Sequence, residues 1–357
     1  MADWNAIIKQ GRASGMLGTL YYILADNNIF SKVPERPRLH LLSSRTVADR
    51  QTDKVNWEVQ NIHRTLGRAG IPVIILKGAA YSFSNLSPSK GRMFGDIDIM
   101  VPHGALSDTE NQLKRNGWLA THHSEYDDKY YRRWMHEIPP LIHRSRQTVL
   151  DIHHNILPLT ANLKPQSKDL WDKAISIDGY EDLYLLSKPD MILHSATHLF
   201  QEGEFERGLR NLFDIAKLIE QFRQEDNFWE NLFERANTLD LVSPLLYALR
   251  YTHKILDISI PALNELTNGK KLPSESRLRL MDKLFLNALY PIESSKSHSL
   301  QSITNWMLFV RGHYLKMPIH LLIPHLIYKA TFAKRDEEKA STQKEATDNL
   351  LRNFLDV

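Results

Sequence analysis

The spacing of apolar residues changes twice along the chain, and its first part has a helical pattern. Before residue 30, apolar positions recur every three to four residues, which predicts one or two short helices. Pro34 and Pro37 then interrupt the pattern, because proline is poorly accommodated inside a helix. A longer helix is predicted over residues 44–68, with an apolar stripe that includes Val55 and Ile62.

Short apolar runs replace the helical pattern between residues 71 and 156. Two segments in this part of the chain are predicted to be short helices, "AAYSFSNL" and "GALSDTENQLKRNG". The other runs contain many β-branched and aromatic residues, and they predict strands at "IPVIILKG", "DIDIMV", "WLATHHS", "KYYRRWMH", "PPLIHRS" and "QTVLDIHHNI". This part of the chain therefore predicts a small mixed sheet with a few helices.

Helical spacing returns after about residue 185, where the strand signals fade. Ser187 and Pro189 stand where a helix is expected to begin, and further helical segments follow. The predicted fold class is therefore α+β, with a mostly α-helical domain behind the sheet. The predicted divisions are a helical extension over residues 1–43, an α/β domain over 44–185, a helical domain over 186–335 and a charged tail or helix over 336–357.

Composition and charge predict a soluble cytoplasmic protein. The 45 basic and 42 acidic residues give a net charge of +3, which is not a strong nucleic-acid signature. The absence of cysteine excludes disulfides, thiolate metal sites and cysteine nucleophiles. No secretory signal and no run of 18 apolar residues is present, so no membrane span is expected. The sequence does not predict an oligomeric state.

Two carboxylates stand one residue apart in the otherwise apolar segment "GDIDIMVP". In a strand, Asp96 and Asp98 would project from one face, while Ile97 and Ile99 would face the core. Two neighbouring carboxylates repel each other, and burial would raise at least one pKa unless a cation lay between them. A divalent metal with oxygen ligands, such as Mg²⁺, is the simplest partner.

A third carboxylate lies on a later predicted strand, in the segment "TVLDIHHNI". If the two strands were neighbours in one sheet, Asp151 could join Asp96 and Asp98. Three aspartates can hold two metal ions, which activate an attacking oxygen and stabilise a leaving phosphate. The expected cofactor is therefore Mg²⁺, with two ions, and Mn²⁺ is the alternative.

The succession of "VIILKGAAY", "GRMFGDIDIMV" and "VLDIHHNI" resembles the nucleotidyltransferase superfamily with the DNA polymerase β-type fold. More narrowly, it resembles the bacterial uncharacterised nucleotidyltransferase family. The resemblance continues into "PDMILHSATHLF" and "GLRNLFDIAKLI", and it covers about residues 45–225. It implies that residues 44–185 form a catalytic domain of this type. It also implies transfer of a nucleoside monophosphate from an NTP, such as ATP, to an acceptor hydroxyl, with release of pyrophosphate.

The resemblance also implies roles for individual residues. Asp96, Asp98 and Asp151 would be the catalytic carboxylates and the metal ligands, and Asp151 would also help to deprotonate the acceptor. The nucleotide-binding residues would be Lys77, Gly78, Arg92 and Gly95. Among these, the two cations would bind phosphate, Gly78 would let backbone N–H groups approach the triphosphate, and Gly95 would serve the backbone geometry of its loop. Alternatively, Lys77 caps a strand end in solvent, and Arg92 pairs with Asp96 or Asp98.

The turn after the first predicted strand departs from the wider superfamily. That superfamily has a Gly-Ser pair where this chain has Lys77, Gly78 and Ala79, so a serine contact to phosphate is missing. Two alternatives therefore stay open. One is a catalytically silent nucleotide-binding or interaction protein that retains the fold, and the other is an RNA-modifying or protein-modifying nucleotidyltransferase. The acceptor and the base of the NTP are not predicted.

Four further residues are candidates for the acceptor side of the site: His153, His194, His198 and Asp214. His153 would share a strand face with Asp151 and could orient it or contact the acceptor. His194 and His198 lie four residues apart, but the segment lacks the Glu of H-E-x-x-H, so cleft or core positions are favoured over zinc. Asp214 could instead pair with Arg210 along a helix.

Overall fold

The computed structural model describes residues 3–121, 125–203, 205–261, 274–290, 298–324, 326–327 and 331. The predicted tail or helix over 336–357 lies outside these residues. The helices are α1 (Trp4–Ala13), α2 (Leu17–Asp26), α3 (Glu35–Gly67), α4 (Lys77–Phe83), α5 (Leu106–Arg115), α6 (Glu125–Trp134), α7 (Ser167–Trp171), α8 (Lys188–Gln201), α9 (Gly208–Phe222), α10 (Phe228–Thr238), α11 (Val242–Leu256), α12 (Glu275–Leu289) and α13 (His298–Lys316). The strands are β1 (Val73–Ile75), β2 (Ile97–Met100), β3 (Trp118–Ala120), β4 (Leu141–His143), β5 (Val149–His153), β6 (Ile175–Ser176) and β7 (Leu183–Leu185).

The strands form one seven-stranded mixed sheet in the order β3-β4-β5-β2-β1-β7-β6. Strand β2 lies at its centre, parallel to β5 and antiparallel to β1. Ile97 and Ile99 on β2 are 1% exposed, so both are buried as predicted, although Asp98 and Met100 on the other face of the strand are buried too. The predicted α+β fold class is also confirmed, since helices dominate the described chain after β7.

Helix α3 begins before its predicted start at residue 44, because the two prolines do not prevent the helix from forming. Pro34 directly precedes the helix and Pro37 lies in its first turn, where a backbone N–H would have no partner within the helix. Proline is therefore tolerated at both positions, and the helix runs from Glu35 through the predicted boundary at residue 44. Farther along, Val55 and Ile62 are buried, as the apolar stripe predicted.

The strand predicted at "KYYRRWMH" is wrong, because helix α6 covers most of that segment. Asp128 and Arg132 lie one helical turn apart, and Arg132 Nε donates to Asp128 Oδ2 at 2.9 Å. Arg132 also reaches Glu110 on α5, a contact that a sequence pattern does not reveal. Strands β6 and β7, of two and three residues, were not predicted.

One hydrophobic core joins the sheet to the helices behind it. Buried residues form a continuous cluster that runs from Val55 on α3, through the strands, to Leu308 on α13. Ser187 caps α8 as predicted, because its Oγ accepts from the backbone N–H of Asp190 at 3.3 Å. Helices α8 and α9 pack against each other and face the central strands across a cleft. No helix among the described residues is both long and apolar enough to cross a membrane.

Candidate active site

The three predicted carboxylates come together at the central strands. Asp98 on β2 lies directly opposite Asp151 on the parallel neighbour β5, so both side chains project from one face of the sheet. Asp96 directly precedes β2 and is exposed in the cleft, whereas Asp98 is only 5% exposed. The sheet register therefore gives one exposed, one half-buried and one buried carboxylate within a small volume.

Asp98 is held by two positively charged or ionisable groups. Lys77 Nζ lies 2.9 Å from Asp98 Oδ1, and His153 Nε2 lies 3.1 Å from the same oxygen. Although burial opposes ionisation, Lys77 and His153 hold the pKa of Asp98 well below its usual range. Burial likewise opposes the charge of Lys77, but Asp98 and the nearby Glu202 raise its pKa. Asp98 is therefore ionised, and Lys77 is charged.

Asp151 lacks such a partner. Its Oδ1 atom is buried without a hydrogen bond, which is unusual for a carboxylate oxygen in a folded protein. Burial and the negative charge of Asp98 raise the pKa of Asp151 to about 8. The charge of Asp98 also raises the pKa of Asp96. An unpartnered oxygen among three carboxylates fits a divalent cation with oxygen ligands, because the cation would satisfy this oxygen and relieve the repulsion.

A glycine is required at position 78 because the Arg92 guanidinium lies against it. A side-chain Cβ at this position would stand 2.2 Å from Arg92 Nη1, so any larger residue would displace the guanidinium. The preceding residue, Lys77, has a φ of 45°, a left-handed conformation that is uncommon for residues other than glycine. The tight turn at Lys77 and Gly78 thus brings an ammonium and a guanidinium to the same side of the cleft.

Arg92 pairs with a helical residue and not with the strand carboxylates. Its Nε donates to Asp214 Oδ2 on α9 at 3.1 Å, and both side chains are largely buried. The alternative pairing of Arg92 with Asp96 or Asp98 is therefore not observed. The helix pair of Arg210 with Asp214 is not observed either, because Arg210 Nη1 donates to the backbone oxygen of Met93 at 2.6 Å.

Four cations line the cleft, and two of them were not predicted as phosphate ligands. Lys77 and Arg92 are joined by Arg207 and Arg210, which flank the start of α9. Burial and the nearby charge of Arg92 lower the pKa of Arg210 to about 9, and its Nε is buried without a partner. Gly95, which was predicted, lies on the rim beside Arg207. The positive charge of these side chains suits the cleft to a small polyanion.

The structure separates the predicted acceptor-side residues. His198 and Asp214 line the cleft, where His198 Nδ1 lies 2.9 Å from Glu202 Oε2. His194 is 3% exposed, and burial lowers its pKa well below the usual value. His153 is 2% exposed and contacts Asp98, so it positions a carboxylate and is not placed to touch an acceptor.

Two further acidic residues near the site were not found by sequence reasoning. Glu202 directly follows α8 and lies beside Lys77. Glu137 Oε2 lies 3.3 Å from His153 Nδ1. Neither stands in a recognisable motif, and their positions depend on how α8 and the segment after α6 pack. Glu202 lies four residues after His198, and this helical spacing is the sequence signal that could have indicated it.

Comparisons with known proteins give a family match and a similar solved structure. A family model described as an uncharacterised nucleotidyltransferase matches residues 1–257. Among solved structures, a similar one is the crystal structure of an antigenic nucleotidyltransferase-like protein from Paracoccidioides brasiliensis. It shares 15% sequence identity with a TM-score of 0.31, over 54% of this chain and 93% of that chain. No curated protein matches the sequence.

Proposed function

Because the chain belongs to the uncharacterised nucleotidyltransferase family, we propose that it moves a nucleoside monophosphate from an NTP to an acceptor hydroxyl. One observation supports the proposal: Asp96 and Asp98 line one cleft together with four cations, and Asp151 lies opposite Asp98 on the neighbouring strand. A cleft that holds both carboxylates and cations suits a metal–triphosphate complex, in which both charges are present.

The reaction would be an in-line displacement at the α-phosphorus. A bond forms between the acceptor oxygen and this phosphorus, while the bond to the pyrophosphate oxygen breaks. Asp96, Asp98 and Asp151 would hold divalent cations, which would supply positive charge to stabilise the negative charge that develops in the reaction. Asp151, whose Oδ1 makes no hydrogen bond with the described residues, is the candidate to take the acceptor proton. The proton would rest on its carboxylate until solvent removes it.

The basic residues of the cleft would bind and orient the triphosphate. Arg207 is exposed at the rim, and Arg92 and Arg210 lie deeper beside the loop that precedes β2. Guanidinium groups form charge-assisted bonds to phosphate oxygens in fixed geometry. Most of the rate enhancement would then come from positioning and charge neutralisation, as is general for phosphoryl-type transfer.

A pyrophosphate-release assay tests this proposal. Purified protein would be incubated with Mg²⁺, the four common NTPs and a cell extract as the source of acceptor. We expect release by the wild type, and a loss of at least about a hundredfold in Asp96→Asn, because removal of one electrostatic group in an active site commonly costs that much. Equal release by both proteins would contradict the proposal.

One observation favours a second function, that of a non-catalytic nucleotide-binding protein. The Lys77 ammonium lies 2.9 Å from Asp98 Oδ1, at an oxygen that a catalytic cation would use. A protein that keeps this pair would bind an NTP through its arginines without turning it over. Calorimetry would then record NTP binding that is independent of Mg²⁺ and unchanged in Asp96→Asn, and no pyrophosphate would be released.

A further inference from the structure

A second group of metal-binding side chains lies behind Asp98. His136 and Glu137 follow helix α6, and His153 is on β5. Glu137 and His153 form an antiparallel backbone bridge. One ligand atom from each of these three residues lies within 4.8 Å of the other two. The backbone of the segment is fixed as well, because the N–H of Ile138 donates to Ile152 O at 3.1 Å.

Both imidazole rings carry a buried nitrogen without a partner. His136 is 6% exposed and His153 is 2% exposed, and the Nδ1 atom of each makes no hydrogen bond with any residue that the structure describes. His153 Nδ1 lies 3.3 Å from Glu137 Oε2, but the contact lacks hydrogen-bond geometry. Buried polar atoms are normally satisfied, so two orphaned ring nitrogens beside one carboxylate need an explanation.

The second ring nitrogen of His153 contacts a carboxylate, as is common in histidines that bind metals. His153 Nε2 lies 3.1 Å from Asp98 Oδ1, which fixes the orientation of the ring. Histidines that bind metals usually donate their second N–H to a carboxylate or a carbonyl, and this leaves the first nitrogen free for the ion. The Glu137 side chain is 21% exposed, so an ion can reach the group from solvent.

We propose that His136, Glu137 and His153 bind one divalent transition-metal ion of the Zn²⁺ class. Two imidazole nitrogens and one carboxylate form a ligand set that suits zinc and related ions, whereas Mg²⁺ prefers oxygen ligands alone. The site is distinct from the aspartate cluster and goes beyond the proposed transfer reaction. It joins the segment after α6 to β5, and through His153 it positions Asp98.

Metal content and cobalt spectroscopy test this site in the full chain. Protein would be incubated with excess Zn²⁺ and dialysed, and the zinc would be counted by mass spectrometry. We expect one Zn²⁺ per chain in the wild type, and Co²⁺ should give visible absorption bands that Zn²⁺ removes. His136→Ala should lose the ion, and Glu137→Gln should weaken Zn²⁺ binding by more than about tenfold, since loss of a residue that only supports a ligand already costs that much.

Two control variants separate this site from others in the chain. His40→Gln removes an exposed histidine, and Asp96→Asn alters the aspartate cluster, so both should keep one Zn²⁺. Because Glu137 is partly exposed, Glu137→Gln is expected to fold, and circular dichroism would verify this. A wild type that retains no Zn²⁺, or unchanged affinity in folded Glu137→Gln, would overturn the proposal. Because zinc is measured without nucleotide, neither result bears on the transfer reaction, which is tested by a separate assay.

Discussion

Lys77 and Arg92 are each held by one carboxylate, although both face the same cleft. Lys77 pairs with Asp98, a proposed metal ligand, whereas Arg92 pairs with Asp214 on the opposite wall. A cation that binds Asp98 must therefore compete with the Lys77 ammonium, which would then be free to contact phosphate. Arg92 pairs with a residue that is not a proposed metal ligand, so a metal ion need not displace it.

The contact of Gly78 with Arg92 predicts the effect of adding one methyl group. In Gly78→Ala, the new Cβ would stand 2.2 Å from Arg92 Nη1 and displace the flexible guanidinium from Asp214. We expect the protein to fold but to bind a nonhydrolysable NTP with Mg²⁺ about tenfold more weakly, which is about 1.4 kcal/mol. Calorimetry measures this affinity. Gly104→Ala is the matched control, since a Cβ there meets open space, and equal affinities in the two variants would refute the steric account.

The raised pKa of Asp151 predicts a pH-dependent stability in metal-free buffer. The folded protein holds this proton up to about pH 8, whereas the unfolded chain releases it near pH 4. Stability is therefore lost as the pH rises between these values, by at most about 1.4 kcal/mol per pH unit for one proton. Over that pH range, the free energy of unfolding of Asp151→Asn should therefore rise relative to that of the wild type. Urea unfolding with EDTA present measures this difference. A difference between the two proteins that does not change with pH would contradict the assignment.

At the scale of elements, the parts that could be predicted are those with a complete local pattern. Asp98 and Asp151 stand on strands of four and five residues, long enough to show which side chains face the core. Strand β7 was not predicted, and its parallel pairing with β1 joins segments more than 100 residues apart, which no local pattern reveals. Arg207 and Arg210 reach the cleft because of how α9 packs, and no local signal marks them as phosphate ligands.

The ion pair that ties α3 to the sheet predicts a stability effect. Glu58 on α3 is fully buried, and Arg146, in the turn between β4 and β5, donates to both of its oxygens, at 2.6 and 2.8 Å. Arg146→Ala would leave a buried, unpaired charge and should lower the free energy of unfolding by about 3 kcal/mol. Chemical denaturation measures this loss.

Two further variants test whether the unpaired charge is the cause. Lys90→Ala breaks an ion pair with Asp26 in which both side chains are more than half exposed, so it should cost less than about 1 kcal/mol. Adding Glu58→Leu to Arg146→Ala should recover part of the stability, because the buried charge is gone. A loss in Arg146→Ala no larger than that in Lys90→Ala would show that the pair is unimportant.

At the scale of the whole molecule, the sheet and the helices share one core. The cluster of buried residues continues from the strands into α8, α9 and α11. The domain boundary proposed near residue 185 therefore separates two patterns of secondary structure. Whether it also separates two units of folding stays a prediction to be tested.

Native-state hydrogen exchange tests how the shared core behaves. We expect the slowest amides of β2 and β5 to open with the same free energy as those of α8 and α9, because neither layer keeps its buried surface without the other. Mass spectrometry of peptides from each element measures these values. Opening of the helices at a distinctly lower free energy would show that the sheet is stable alone.

The central claim, nucleotidyl transfer at the aspartate cluster, is tested most directly by following each phosphate of the NTP. Wild type, Asp98→Asn and the control Asp108→Asn, which alters an exposed carboxylate on α5, would receive α-labelled or γ-labelled NTP with Mg²⁺ and cell extract. We predict that α-label joins an acceptor and that γ-label leaves as pyrophosphate, in the wild type and Asp108→Asn alone. Transfer of γ-label to the acceptor, no transfer of either label, or full activity in Asp98→Asn would contradict the account.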